Sequence, residues 1–125
     1  MADFTYQFEK LDAWQESRKL VVEVYKLLRK FPQEERYALC DQLRRAVISI
    51  PSNIAEGNGR ISIKEHIHFL EIAYGSIMEV YTQLQLAVDL GYITADDFKA
   101  ITPQIHSVSR LVSGLRASKV KQMPH

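Results

Sequence analysis

The apolar residues of segment 63–88 recur in a pattern that predicts one long helix packed against others. They are spaced alternately four and three residues apart, at Ile63, Ile67, Leu70, Tyr74, Ile77, Tyr81, Leu84 and Val88. A sustained period of 3.5 residues is typical of long helices that pack side by side at shallow angles. Ser62 and Glu65 have capping-box spacing at the start of this helix, and Gly91 is suited to end it. The pattern therefore predicts a helix over 63–90, roughly 40 Å long at 1.5 Å per residue.

Three further segments have apolar residues at helical spacing, and each begins with a recognisable signal. The first opens with capping-box spacing at Asp12, the second with Pro32, and the last follows Thr94. We predict helices over 12–31, 32–57, 63–90 and 95–118, with flexible ends, in a single domain spanning 1–125. No segment alternates with period two for long enough to form a strand. Because short connections place successive helices antiparallel, we predict an all-α, up-down-up-down four-helix bundle.

The composition excludes several classes of protein. An apolar fraction of 46% and a net charge of +1 argue against disorder. The single cysteine, Cys40, excludes an intrachain disulfide. No apolar run approaches the ~20 residues that a membrane-spanning helix needs, and the N-terminus lacks the pattern of a signal peptide. We therefore expect a cytoplasmic protein without a membrane segment.

Pro51 lies inside the second predicted helix. Proline lacks the backbone N–H and crowds the carbonyl four residues earlier, which costs roughly 3 kcal/mol in a helix interior. Either the helix ends before Pro51, or it continues with a kink and ends where Gly57 or Gly59 adopts a left-handed conformation. In the second case we expect Asn53 and Glu56 to hold the corner through hydrogen bonds to neighbouring helices or to the turn. The segment is then a structural motif formed by Ser49, Pro51, Asn53, Glu56 and Gly57.

The first and third predicted helices carry more apolar residues than one buried stripe requires. A helix at the edge of a monomeric bundle needs an apolar stripe of roughly 100° or a little more. We therefore expect a symmetric homo-oligomer in which the additional apolar faces meet, whereas a wide core stripe in a thick bundle is the alternative. The candidate interface residues are Leu20, Leu27, Phe69, Ile72, Ala73 and Val80.

The sequence lacks the residue patterns on which most enzyme and metal sites depend. His66 and His68 are two residues apart, so a helix points them in different directions and they cannot chelate one metal ion together. The carboxylate of Glu56 has no acid–base partner at a motif spacing. We expect no metal, no cofactor and no enzymatic activity. A hydrolase or transferase centred on Asn53 and Glu56 is the least favoured alternative.

Several motifs closely resemble the four-helix-bundle proteins encoded in intervening sequences of bacterial 23S rRNA genes. They are FPQEERYAL at 31–39, QLRRA at 42–46, SIPSNIAEG at 49–57 followed by GR at 59–60, and FLEIAYGS at 69–76. The resemblance runs from about Leu11 to Ile93 and is looser beyond Thr94. The block from Asn53 to Arg60 is its most specific part.

This family is similar to the accessory variability determinant proteins of diversity-generating retroelements. Those proteins form ring-like homopentamers with a basic surface, and they bind nucleic acid and a reverse transcriptase. The resemblance therefore implies a bundle, a homopentamer and a role in binding RNA or DNA, with a reverse transcriptase or another protein as a further partner. The retroelement proteins are strongly basic, whereas this chain has a net charge of only +1.

Nucleic-acid affinity depends largely on neutralising phosphates, so a nearly neutral chain must cluster its cations. The sequence from Phe98 onward contains five cations and no acid. We expect contacts around the turn between the second and third helices and on the last helix, from Arg44, Arg45, Arg60, Lys64, Arg110, Arg116 and Lys119. Arg44 or Arg45 could instead pair with an acid such as Glu56 or Asp41. The alternative function is an oligomeric protein-interaction scaffold without a nucleic-acid role.

Overall fold

The computed structural model describes residues 4–124 and contains four long α-helices. They are α1 (Asp12–Leu28), α2 (Leu39–Asn58), α3 (Ile63–Asp89) and α4 (Ala95–Lys121). Two short 3-10 turns, Gln7–Lys10 and Gln33–Glu35, precede α1 and α2. No strand occurs between residues 4 and 124, so the predicted all-α class is confirmed. Within the same range, no helix combines the length and apolar character needed to cross a membrane.

The helices surround one hydrophobic core, and each helix packs against two others. Helices α1 and α3 both contact α2 and α4. Gln83 Nε2 donates to Gln42 Oε1 at 3.4 Å, and the Ser76 hydroxyl donates to Ser49 Oγ at 2.9 Å. Residues earlier in α2 thus meet residues later in α3, so these two helices run antiparallel. The same hydrogen bonds form a polar seam inside an otherwise apolar contact.

The buried line of α3 differs from the predicted stripe. Tyr74 belongs to that stripe but is 38% exposed, whereas Ile77 is fully buried. A straight helix has 3.6 residues per turn, so a strict 3.5-residue repeat drifts around its surface. The fully buried residues of α3 therefore come both from the predicted stripe and from the additional apolar residues beside it. They are Leu70, Ala73, Ile77, Val80, Leu84 and Ala87.

Half of the expected oligomer interface belongs to the core of the single chain. Three candidates have no exposed surface: Leu20, Ala73 and Val80. Assigning these three to an interface is wrong, because a fully buried side chain cannot contact a second copy. For them the alternative of a wide core stripe is right. Leu27 and Phe69 are half-buried, and Ile72 is 38% exposed.

The second helix begins later than predicted, at Leu39 instead of residue 32, and α1 ends at Leu28 instead of residue 31. Glu35 helps to set the later start. Its carboxylate accepts hydrogen bonds from the Leu39 amide at 3.2 Å and from the Tyr92 hydroxyl at 2.8 Å. Because Tyr92 lies beyond α3, a contact between residues distant in the sequence competes with the local preference of Pro32 for a first helical turn.

Two of the three predicted caps occur. The Thr94 hydroxyl accepts from the Asp97 amide, and the Asp97 carboxylate accepts from the Thr94 amide, both at 3.0 Å, which confirms the capping box of α4. At the start of α3 the Ser62 hydroxyl accepts from the Glu65 amide at 3.3 Å, whereas the return hydrogen bond to the Glu65 side chain is absent among the described residues, so only half of the predicted capping box forms. At α1 the N-cap is the preceding leucine and no side chain caps the helix, so the box predicted at Asp12 is wrong.

The ends of the described chain are more ordered than predicted. Helix α4 continues to Lys121, so the prediction that it ends at residue 118 is wrong. Near the other end, the Phe8 ring lies edge-on against the Trp14 ring of α1, with 5.1 Å between the ring centroids. The predicted flexible ends also include residues 1–3 and 125, which lie outside the described residues.

Helix α2 continues through Pro51 to Asn58, so the alternative in which the helix ends before Pro51 is wrong. The expected left-handed glycine at its end is wrong, because Gly59 is the C-cap with a φ of −82°. Gly91, which follows α3, has a φ of +79° and supplies the left-handed conformation predicted there. The corner after Pro51 is therefore an uninterrupted helix followed by a right-handed turn.

Gly57 contributes to this corner by its small size. It is buried, and a Cβ atom added there would lie 2.9 Å from Cβ of Phe69 and 3.1 Å from Cδ2 of His66. Cβ atoms essentially never approach other atoms closer than 3.0 Å. The close contact between α2 and the start of α3 therefore requires glycine at this position.

Asn53 and Glu56 bond differently at this corner. Asn53 Nδ2 donates to the Ser49 carbonyl at 2.7 Å and to Ser49 Oγ at 2.8 Å, so it bonds within its own helix. Its link to α3 runs through Ser49, which accepts from Ser76. The Glu56 carboxylate accepts from Arg60 Nη2 in the turn at 2.6 Å. A polar relay thus joins α2 to α3, and an ion pair spans the turn.

Candidate nucleic-acid interface

The candidate cations do not form one cluster. Arg44 and Arg45 lie in the second turn of α2, whereas Arg60 and Lys64 flank the turn at its far end. At 1.5 Å per residue, Arg45 lies about 20 Å from the end of the helix at Asn58. The expectation that these four residues gather around the α2–α3 turn is therefore wrong.

Arg44 and Arg45 pair with Asp41, one of the two acids considered as alternative partners. Arg45 Nη2 lies 2.8 Å from Asp41 Oδ2, and Arg44 Nη2 lies 3.8 Å from Asp41 Oδ1. Arg44 Nη2 also donates to the backbone carbonyl of Arg36 at 2.8 Å. Both side chains remain partly exposed, so these pairs contribute about 0–1 kcal/mol each.

Arg60 is bound within the corner. Its guanidinium group lies 2.6 Å from a Glu56 oxygen and 3.8 Å from a Glu65 oxygen. The same group lies over the Phe69 ring, 4.8 Å from the centroid. Two carboxylates and an aromatic face thus share this cation, which suits it to holding the turn against α3.

The second half of α4 carries the least compensated positive charge of the candidate regions. Four cations lie there, and we call them the α4 cationic surface: Arg110, Arg116, Lys119 and Lys121. At about 100° per residue, Arg110 and Lys121 lie on one side of the helix, whereas Arg116 and Lys119 lie on the side that faces α3. Arg116 pairs with Glu71 of α3 at 3.7 Å, and both side chains are about half-exposed. Within residues 4–124, the other three cations and Lys64 form no ion pair.

Helix α4 runs back along α3, so this surface lies at the end of the bundle that also holds the α2–α3 turn. The Arg116–Glu71 pair joins the last turns of α4 to the first half of α3. The charge of Lys119 contributes to lowering the pKa of His66 in the first turn of α3. Lys64, two residues earlier, therefore belongs to the same end of the molecule as the α4 cationic surface.

Lys121 was not among the predicted contacts, although it follows the predicted Lys119 by two residues and lies in the same helix. The signal for the longer helix is present in the sequence. Pro124 is the first helix-breaking residue after Pro103, and Lys119 and Lys121 are cations of the kind that stabilise a helix C-terminus.

His66 is an unusual buried group at this end of the bundle. It is 5% exposed, and its Nε2 atom has no hydrogen-bond partner among the described residues. Burial, assisted by the positive charge of Lys119, lowers its pKa below the ordinary value of 6.5. The imidazole is therefore neutral in the folded chain at neutral pH.

We expect acidification to destabilise the fold through His66. Below pH 6.5 the unfolded chain binds a proton at this histidine while the folded chain resists it, so the free energy of unfolding falls as the pH drops. Urea denaturation at pH 7.5 and pH 5.5 measures the effect, and His66→Phe should reduce the difference. The exposed His68 offers a matched control, since His68→Phe should leave the difference unchanged. An equal pH dependence in all three proteins would contradict this assignment.

One side of α3 exposes apolar residues to solvent. Ile72, Leu86 and Leu90 are 38%, 46% and 57% exposed, and their spacing places them on one side of the helix. Gly75 lies on the same side, and a Cβ atom added there would meet nothing within 4 Å. We call these four residues the outer α3 face. Of the six predicted interface residues, Ile72 belongs to it.

Comparison with known proteins identifies the family. A family model described as 23S rRNA-intervening sequence protein matches residues 9–114. The fold is similar to a crystal structure from Bacteroides thetaiotaomicron VPI-5482, described as a protein with unknown function from the S23 ribosomal protein family. The two are 23% identical with a TM-score of 0.77, and the match covers 84% of this chain and 95% of the other. No curated protein matches the sequence. Because the family match spans most of the chain and includes residues of all four helices, the protein belongs to the 23S rRNA-intervening sequence protein family.

Proposed function

We propose that the protein is a cytoplasmic, homopentameric adaptor that binds RNA or DNA through the α4 cationic surface. The observation that carries the proposal is the presence of four cations on the last turns of α4, in a sequence region without any acid. The resemblance to the retroelement proteins supports the pentamer and adds a reverse transcriptase, or another protein, as a candidate partner.

The electrostatics of this surface favour phosphate binding. The Arg116–Glu71 pair is exposed and 3.7 Å long, so a phosphate competes with it at little cost. A pentamer presents the four cations five times, which offsets the low net charge of one chain. Each phosphate neutralised contributes a slope of about −0.9 to the dependence of log affinity on log salt for duplex DNA.

The outer α3 face supports assembly. Glycine in a helix interior is roughly 0.5–1 kcal/mol less favourable than alanine, and no contact with the described part of the chain requires glycine at position 75. Close packing of a second chain against this position requires a small residue such as glycine. Exposed apolar side chains beside a small residue are what a helix–helix interface between protomers needs.

We expect labelled structured RNA or duplex DNA to bind with an affinity that falls steeply with salt. Replacing Arg110, Lys119 and Lys121 with alanine should lower affinity at ~50 mM salt about tenfold or more and flatten the salt dependence, because phosphate contacts are lost. Fluorescence anisotropy titrations over a salt series measure both quantities.

Arg45→Ala is the matched control, since Asp41 already pairs with this arginine. It should change affinity less than the α4 variant does. No binding at ~50 mM salt removes the nucleic-acid proposal. A loss confined to the Arg44→Ala, Arg45→Ala double variant contradicts the assignment to α4.

The second candidate function is an oligomeric scaffold for other proteins. It is favoured by the ion pairs of Arg45 and Arg60, at 2.8 Å and 2.6 Å, which engage two of the predicted contacts within the chain. An oligomeric mass in light scattering, together with no nucleic-acid binding in these titrations, supports this alternative.

A further inference from the structure

A cavity of about 500 Å³ opens where the end of α1 meets the start of α2. We call it the α1–α2 pocket. Among residues 4–124, three arginines line it, Arg29, Arg36 and Arg44, and no aspartate or glutamate does. The start of α4 lies near the end of α1, because Lys30 pairs with Asp97 at 2.7 Å. The pocket is therefore at the opposite end of the bundle from the α4 cationic surface.

The chain positions the guanidinium group of Arg44 and neutralises the three arginines of the pocket little. Arg44 Nη2 donates to the Arg36 carbonyl at 2.8 Å, which ties this guanidinium group to the wall. Its only ion pair with a described residue is the 3.8 Å contact with Asp41, a carboxylate already paired with Arg45 at 2.8 Å. Within residues 4–124, Arg29 and Arg36 form no ion pair.

The remainder of the lining is largely apolar or aromatic. Phe31 and Cys40 are 8% and 4% exposed, and Tyr25 is 37% exposed. Burial raises the pKa of the Cys40 thiol, and the charge of Arg44 opposes that shift without cancelling it. The thiol therefore stays protonated at neutral pH and adds no negative charge to the pocket.

We infer that the α1–α2 pocket binds a nucleotide, with the phosphate on the three guanidinium groups and the base against the apolar and aromatic wall. Guanidinium groups bind phosphate through paired, charge-assisted hydrogen bonds. The cavity volume falls within the roughly 300–1,000 Å³ of small-molecule sites, which a lone inorganic anion would leave mostly unfilled. The nucleotide comes either from the free pool or from the phosphorylated end of a strand. The inference does not depend on nucleic-acid binding at α4.

Isothermal titration with AMP, adenosine and inorganic phosphate tests the inference. AMP should bind about tenfold or more tightly than either of the other two, because only AMP uses both the arginines and the apolar wall. The Arg29→Gln, Arg44→Gln double variant should lower AMP affinity about tenfold or more, since charge-assisted hydrogen bonds are lost. Arg18→Gln is the control, because Arg18 lies on α1 but does not line the pocket and forms no ion pair within residues 4–124. Its AMP affinity should stay within about twofold of wild type.

Three results would overturn the inference: no AMP binding at millimolar concentration, equal affinities for AMP and adenosine or for AMP and phosphate, or an equal loss in the Arg18→Gln control. Thermal unfolding of each variant verifies that the chain remains folded.

Single-stranded oligonucleotides with a 5′-phosphate or a 5′-hydroxyl then distinguish the two sources of the nucleotide, the free pool and the end of a strand. A preference for the phosphate that disappears in the double variant identifies a strand end, and equal binding with retained AMP affinity identifies a free nucleotide. Replacing the α4 cations should leave AMP binding unchanged, so failure of one proposal does not imply failure of the other.

Discussion

Replacing Gly57 with alanine is expected to lower the free energy of unfolding by about 2 kcal/mol. The added methyl group would lie 2.9 Å from Cβ of Phe69, 3.1 Å from Cδ2 of His66 and 3.2 Å from the His66 carbonyl oxygen. Neither a Cβ atom nor a backbone carbonyl can move without shifting the start of α3. Overpacking of this kind costs about 1–3 kcal/mol, and a contact shorter than 3.0 Å places the cost at the upper end of that range. After a gain of about 1 kcal/mol in helix propensity, a net loss of about 2 kcal/mol remains. Thermal unfolding should show a midpoint about 8 °C lower.

Gly114→Ala is the matched control, because a Cβ atom there would meet nothing within 4 Å. Gly114 lies inside α4, so the same substitution should raise the free energy of unfolding by about 1 kcal/mol through helix propensity alone. If Gly57→Ala proves as stabilising as Gly114→Ala, the close contact between α2 and α3 is not rigid and the argument for glycine at this corner fails.

Replacing Ile72 and Leu86 together with glutamate is expected to convert the proposed pentamer to a monomer. Both side chains are exposed in the single chain, at 38% and 46%, so the substitutions should change the stability of the fold by no more than about 0.5 kcal/mol each. At an interface, by contrast, an unpaired carboxylate loses its hydration and costs several kcal/mol. Light scattering at micromolar concentration should report five times the 14.4 kDa chain for wild type and a single chain for the variant.

Val22→Glu provides the control for assembly. Val22 is 54% exposed on α1, outside the outer α3 face, so this variant should keep the wild-type mass. A monomeric wild-type protein would overturn the assembly proposal. If the variant with glutamate at both Ile72 and Leu86 keeps the mass of the oligomer, the outer α3 face is excluded as the interface.

The number and approximate positions of the helices were predictable because their signals are local. The spacing of apolar residues and the capping residues at Ser62 and Thr94 act within a few residues of the helix they start. The predicted start of α2 was wrong because a residue distant in the sequence contacts the segment that precedes this helix. Glu35 accepts a hydrogen bond from the Tyr92 hydroxyl, and no local sequence pattern predicts this contact.

The candidate site was predicted in part. The positive character of the last helix follows from composition alone, and three of the four cations of the α4 cationic surface were named. Lys121 was not named, although the same stretch of sequence contains it. The α1–α2 pocket was missed because Arg29, Arg36 and Arg44 lie on separate segments, and only the packing of α1 against α2 brings them to one cavity.

The sequence by itself determined that the chain is helical and which family it belongs to, because periodicity and contiguous motifs can be read from the order of the residues alone. The tertiary structure decided which apolar residues of α3 are buried. That helix is apolar around much of its circumference, so its own sequence has no unique inward side, and contacts with α2 and α4 select Ala73 and Val80 for the core. The structure also decided which cations are paired, because an ion pair depends on distances between side chains that the chain brings together only when it folds.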